Sequence, residues 1–481
     1  MKNFIYNILY STSKHIFRWI EIFINYKYTK AINPTLTLEQ IRAYNKQRTL
    51  GPSKIICNAP FNSIYVRQNG EVNVCCARLY DNLGDLKENS IEEIWNGEKI
   101  NNLRENIKNY NLDGACTSCQ YAIQSKNYNS FIGRYYDRFS NIIQNEYPTE
   151  ITFETSNICN LECIMCNGKF SHLIRKNREK LPILPLELNS THYDSFKPYL
   201  KKIKKITLMG GEPFLINEYL EVIEYIINNN PDCQIIIQTN ATILTKRVRR
   251  ILAYKNIEIS ISLDSLQKET YETIRKNANY ENTISNINYY KDRANRFNHT
   301  ININFCAMQL NWHEIPDIIK YCENNNFSIN IIFIDYPRVH SIRSLTKEKI
   351  VSGLDMLNSN QYKIKKSINI ERFNIFISHV KNVLNSKNKL KDFKDANTSD
   401  LLVKNLNKLK TLSSFDNYKE LELFILEIIK KLNNKEQIKF LELLTCEIEF
   451  IDRAVGIYSI KNEKELSSTK TTISNLLQEI T

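Results

Sequence analysis

The stretch Cys159-Asn-Leu-Glu-Cys163-Ile-Met-Cys166 decides how this chain is read. Soft sulfur ligands gathered this closely suit an iron–sulfur centre. The next cysteine, Cys233, lies far downstream, so the loop supplies three ligands and no fourth. A four-iron cluster held by three cysteines keeps one iron open, and open metal positions mark catalytic sites. Structural zinc, the competing reading, wants four ligands with cysteines in pairs, which a lone triplet serves poorly.

Directly before the triplet comes a short apolar run, Glu150 to Glu154, the first of six. The others are Ile206 to Met209, Gln234 to Gln238, Ile257 to Ser262, Thr300 to Phe305 and Ile329 to Ile334. Amphipathic stretches such as Tyr219 to Ile227, Thr245 to Tyr254 and Ile315 to Tyr321 separate them. This alternation predicts strand–helix units, an α/β fold with a parallel sheet. The second run ends in Met209-Gly210-Gly211-Glu212-Pro213. Two glycines let backbone approach a ligand, and Glu212 offers a carboxylate to an ammonium group; standing alone, the same residues make an ordinary turn. Thr239 and Asn240 end the third run, and Ser262 and Asp264 the fourth. Polar residues there face ligands in parallel sheets or cap the following helices.

A second cysteine set lies upstream: Cys57, Cys75, Cys116 and Cys119, with Cys76 spare beside Cys75. Four thiolates close a metal site, and on chemistry alone zinc competes evenly with a cluster. Between them, Ser63 to Val66 and Glu71 to Val74 flank a Gln-Asn-Gly turn and predict a hairpin. Ser90-Ile-Glu-Glu93 is a capping box that opens a helical stretch through Trp95, Leu103 and Ile107. The remaining cysteines, Cys233, Cys306, Cys322 and Cys446, read as small buried residues.

At 481 residues and 42% hydrophobic content the chain has room for two or three domains. The divisions expected are 1–50, an amphipathic helix and connector; 51–147, the four-cysteine module and linker; 148–345, the strand–helix core; and 346–481, a helical region without a chemical motif. A net charge of +13 would suit a polyanion or an anionic membrane. No dense basic run interleaved with aromatics accompanies it, so composition explains the charge better and nucleic acid is not the expected partner. Twelve cysteines in so long a chain do not resemble a secreted disulfide scaffold, and a reducing cytoplasm fits. Apolar residues from Phe4 to Ile24 recur at helical spacing but are broken by Lys14, His15, Arg18 and Glu21. They predict neither a signal peptide nor a span; the two readings are an interfacial membrane helix and a helix packed on its own protein.

Cys-x3-Cys-x2-Cys after a first strand resembles the signature of the radical SAM superfamily, and Gly210-Gly211-Glu212-Pro213 resembles its GGEP motif. The resemblance implies a partial (βα)6 barrel and a 4Fe-4S cluster on Cys159, Cys163 and Cys166. That cluster would bind S-adenosylmethionine and cleave it to a 5′-deoxyadenosyl radical that abstracts a substrate hydrogen. Gly210, Gly211, Glu212, Pro213, Thr239, Asn240, Ser262 and Asp264 match positions at which the family binds this cofactor. Met165 stands where many relatives carry an aromatic residue near adenine. The upstream set, with Leu83-Gly84-Asp85-Leu86 and Ile94-Trp95, is similar to the twitch form of the SPASM module, which binds one auxiliary 4Fe-4S cluster. Two clusters, a reduced flavodoxin or ferredoxin-type donor and a peptide or small-molecule substrate are what the resemblance implies. If all four upstream cysteines ligate, the auxiliary cluster has no open iron for a substrate and is expected to serve as an electron acceptor or relay, which favours an oxidative outcome. The rivals are an RNA-modifying radical SAM enzyme and a non-catalytic iron–sulfur electron-transfer protein.

Overall fold

In the computed structural model the described residues run from 34 to 444, apart from 49–50, 78–81, 113, 140–145, 183, 185–187, 336, 360–363, 392–401 and scattered positions beyond 402. The predicted N-terminal amphipathic helix and Cys446 lie outside them. No described helix is long and apolar enough to cross a membrane.

Among the described residues nine strands make one sheet: β1 (Ser63–Arg67), β2 (Glu71–Asn73), β3 (Gly84–Asp85), β4 (Glu150–Glu154), β5 (Lys205–Leu208), β6 (Gln234–Thr239), β7 (Ile257–Ser262), β8 (Asn302–Ala307) and β9 (Ser328–Phe333). Their order is β3-β2-β1-β4-β5-β6-β7-β8-β9. From β4 to β9 every pairing is parallel, with helices in the connections, the architecture of a partial (βα)6 barrel. The six strands read from the sequence are all present, none displaced by more than two residues.

Alternation along β6 and β7 shows why these segments are strands. Ile235, Ile237, Ile257, Ile259 and Ile261 are buried in one core with Tyr219, Ile223, Val248 and Ile251 of the covering helices. Gln234, Gln238, Glu258, Ser260 and Ser262, on the opposite face, are half-buried. A period of two thus separates the helix-facing side from the lumen side. On the lumen side of β7 to β9 lies a polar row that sequence reading missed. The Ser260 hydroxyl accepts from Asn302 and Asn304 at 3.1 and 2.9 Å, and Ser328 donates to Asn302 at 3.2 Å.

The upstream module does not stand apart. Its hairpin, β1 and β2, joins the sheet, because β1 pairs in parallel with β4 from Ser63↔Glu150 to Arg67↔Glu154. All five residues of β1 are buried, so both faces are covered, as in a parallel sheet and unlike an isolated hairpin. The predicted capping box is present, with Glu93 N donating to Ser90 Oγ at 3.2 Å and Ser90 N to Glu93 Oε2 at 2.8 Å. Buried Arg104 donates to Pro60 O and Trp95 O at 3.0 and 2.9 Å, clamping the segment after Cys57 to the helix it caps.

The helical C-terminal region also touches the barrel. In the helix Ser367–Lys391, Asn369 Oδ1 accepts from Ile329 N at 2.9 Å and its amide nitrogen donates to Glu323 at 2.8 Å. The helix thereby covers the outer edge of β9, where unpaired backbone would otherwise be exposed.

Candidate active site

At the carboxyl ends of the strands the cysteine loop and the Gly-Gly loop are built against each other. Gly210 and Gly211 have φ of +85° and +54°. A Cβ at Gly211 would lie 2.3 Å from Ile158 O, and one at Gly210 would lie 3.0 Å from Ser156 O. The glycines are therefore needed for close approach to the backbone leading into Cys159. Glu212 N then donates to Ile158 O at 2.7 Å, fastening one loop to the other.

Glu212 is fully buried. Its carboxylate accepts from Thr239 Oγ1 at 2.7 Å, Phe214 N at 3.1 Å and Asn240 N at 2.8 Å. It thus knits the ends of β5 and β6 together, a role the sequence reading did not assign it. Asn240 continues the network to Asn160 Oδ1 at 3.0 Å, and its amide lies 4.0 Å from Cys159 Sγ. Burial pushes the Glu212 carboxyl from 4.5 up to about 7 against those three donors. The folded chain then holds a proton that the unfolded chain has released, so the stability this group contributes is present below about 4.5 and lost as pH rises to about 7. The cluster-free chain should be easier to denature across that window. Glu212→Gln should remove this slope and cost about 1–3 kcal/mol, because its amide donors would face the Asn240 N–H; urea titrations at several pH values would read both effects.

Cys159 and Cys163 are buried with Leu161, and Met165, Cys166 and Ala278 pack against them. Two residues that sequence reading missed hold this loop. His172 Nδ1 accepts from Cys159 N at 3.1 Å, and Arg178 donates to the carbonyls of Cys163, at 3.3 Å, and Cys166. They follow the triplet without a motif of their own, so only the fold reveals them. Burial, with Glu212 and the other two thiols nearby, pushes the Cys159 thiol up to about 12. Such buried thiols lose their protons to solvent when a cationic centre takes the sulfurs, and the donor set fits an iron–sulfur cluster.

The four upstream cysteines also come together. Cys57, Cys75, Cys116 and Cys119 line one cavity, with Val74, Leu103, Ile107, Phe131 and Tyr136. Cys75, not Cys76, faces it; Cys76 is exposed. None of the described cysteines is in a disulfide. Among the described residues no group of three or more His, Cys, Asp or Glu side chains is set to hold a single metal ion. The four thiols share one lining, and four cysteine sulfurs are a donor set that suits an iron–sulfur cluster.

The remaining sequence-predicted residues divide. Thr239 and Asn240 lie in the Glu212 network, and Pro213 starts the short helix Pro213–Leu215. Ser262 is half-buried opposite Asn304. Asp264 is fully buried and pairs with Arg275 at 2.7 Å while accepting from Cys306 N at 2.7 Å. That carboxylate is engaged by protein groups. Cys233 and Cys322 are buried as expected; Cys306 is half-buried.

A model of the radical SAM superfamily matches residues 153–322, and one of an iron–sulfur cluster-binding domain, SPASM, matches residues 57–120. A probable GTP 3′,8-cyclase of Methanocaldococcus jannaschii is 28% identical over 219 residues, covering 43% of this chain and 70% of the relative. The GTP 3′,8-cyclase of Listeria monocytogenes is 28% identical over 204 residues, 41% of this chain and 57% of the relative. The chain therefore spans little more than half the length of the Listeria relative. SuiB of Streptococcus suis bound to S-adenosylmethionine has a TM-score of 0.32 at 16% identity, with 45% of each chain covered, too loose a likeness to argue from. The chain thus carries a radical SAM domain over residues 153–322, preceded by an iron–sulfur-binding SPASM domain over residues 57–120, and takes S-adenosylmethionine and iron–sulfur clusters as its cofactors.

Proposed function

We propose that this chain is a radical SAM enzyme that removes a hydrogen from a peptide or small-molecule substrate and passes an electron to an auxiliary cluster on Cys57, Cys75, Cys116 and Cys119. When bound, the core cluster and S-adenosylmethionine supply the reductive cleavage that makes a hydrogen-abstracting agent. The observation that carries the reading is the single sheet joining the two cysteine sets, with β1 paired to β4 along five residues. A fixed separation between two clusters suits electron transfer from substrate to acceptor. In this reading Cys159, Cys163 and Cys166 hold the core cluster, and Arg178 and His172 keep their loop in shape. Glu212, Thr239 and Asn240 set the wall that receives the methionine end of the cofactor.

The side chains between the two sets support a substrate site there. Tyr65 of β1 hydrogen-bonds Glu154 at the end of β4, and its hydroxyl lies 3.9 Å from Met209 Sδ. Burial raises the Glu154 carboxyl above its ordinary range, with Tyr65, Lys169 and Arg67 opposing that shift. Glu154 thus offers a substrate both an acceptor and, when protonated, a donor.

The test is a metal count on chain purified without oxygen. About eight irons per chain support two four-iron clusters, and the double variant Cys57→Ala, Cys119→Ala should fall to about four. About four irons with one zinc would make the upstream module a structural zinc ribbon and remove the electron acceptor. GTP belongs among the substrates tried because the curated relatives are named for it. Its conversion would replace the peptide reading.

A further inference from the structure

Cys306 departs most from its sequence reading. It lies near the carboxyl end of β8, half-buried instead of packed away. Two sets of contacts tie it to the cysteine loop. Glu162 N donates to Lys276 O at 3.0 Å and Ile164 N to Ile274 O at 2.9 Å, so Cys163 and Arg275 sit opposite each other on paired backbones. Arg275 then pairs with Asp264, whose other oxygen accepts from Cys306 N. Asn311 fixes the same corner from behind, donating to Asp264 O at 2.7 Å and Cys306 O at 3.0 Å.

Three observations give that placement chemical meaning. Cys306 follows Asn302 and Asn304 at a period of two and so shares the lumen face of β8, and burial, then Asp264, Cys163 and Cys166, raise its thiol against Arg275. Arg275 is buried there, and its Nε has no hydrogen-bond partner, leaving a donor for an anionic sulfur. The cysteine loop itself provides three ligands for a cluster with four irons.

We propose that Cys306 ligates the fourth iron of the core cluster while S-adenosylmethionine is absent, and gives up that position when the cofactor arrives. The Cys306 thiol loses its proton to solvent as its sulfur–iron bond forms. When the amino and carboxylate groups of the cofactor take the iron, that bond breaks and the thiolate regains a proton. No electron moves in either direction. Arg275 and Asp264 hold the thiol in place, and Arg275 stabilises its anionic form. The exchange protects a labile iron until the cofactor takes its place. It rests on the reading that Cys159, Cys163 and Cys166 hold a four-iron cluster.

The experiment uses the full chain with both clusters loaded, treated with a stoichiometric mild oxidant under argon. The readout is the electron paramagnetic resonance signal of the three-iron cluster that forms when an unprotected iron is lost. Without cofactor, Cys306→Ala should give a several-fold larger three-iron signal than the unaltered chain. With cofactor added first, the two should be equally protected. Cys306→Ser keeps the side-chain shape and should give an intermediate signal, so it serves if the Ala variant loads iron poorly. Equal three-iron signals without cofactor in the unaltered chain and in both variants would overturn the proposal. A chain whose spectrum does not respond to S-adenosylmethionine at all would overturn the underlying cluster reading instead.

Discussion

Changing Cys159, Cys163 and Cys166 together to Ala should leave a folded chain carrying about four irons in place of about eight. The side chains belong to a loop that the backbone holds through Ser171, Arg178 and the pairing with residues 274–276. Removing three thiols therefore takes away ligands more than packing. The iron that remains should belong to the upstream set, which lies in another part of the sheet. Iron and sulfide analysis, with circular dichroism to confirm folding, reads the outcome directly. Retention of about eight irons would place the core cluster elsewhere.

Gly211→Ala should be nearly as damaging, for a different reason. At φ +54° a Cβ is disfavoured by roughly 1–2 kcal/mol. Here it would also meet Ile158 O at 2.3 Å and the carbonyl carbon and nitrogen of the same residue at 2.9 and 3.0 Å. Backbone cannot yield as a flexible side chain can, so the two loops must separate and break the Glu212 N to Ile158 O bond. The expected outcome is a cost of about 3 kcal/mol or more in denaturant unfolding, with loss of the cofactor-induced change in the core cluster's spectrum. Gly114, whose φ is +67° with nothing within 4 Å of an added Cβ, is the matched control for strain without a clash.

Much of this was legible in the sequence because period and punctuation carry it. The strands of the barrel announce themselves as short β-branched runs, and β4 and β7 fall where the runs end. The cysteine spacings name their chemistry because few other uses of three or four thiols fit them. What the sequence could not carry is side-chain partnership between distant segments. Glu212 reads as a ligand for an ammonium, yet its neighbours Thr239 and Asn240 are known to it only through the parallel pairing of β5 and β6. Asp264 reads as a cofactor contact, but Arg275 follows it by eleven residues with no periodic signal to join them. Nothing in the hairpin Ser63 to Asn73 shows that its first strand continues a sheet that starts again at Glu150, since the link is a register between strands. Cys306 reads as a filler because a single cysteine in an apolar run looks the same whether it faces a core or a lumen.

The most direct test of the central claim is cleavage of S-adenosylmethionine by the full chain, loaded with iron and sulfide without oxygen and reduced chemically. The unaltered chain should yield 5′-deoxyadenosine and methionine, and the chain in which Cys159, Cys163 and Cys166 are Ala should yield neither. Cleavage that persists in that variant, or its absence from a fully loaded unaltered chain, would contradict it.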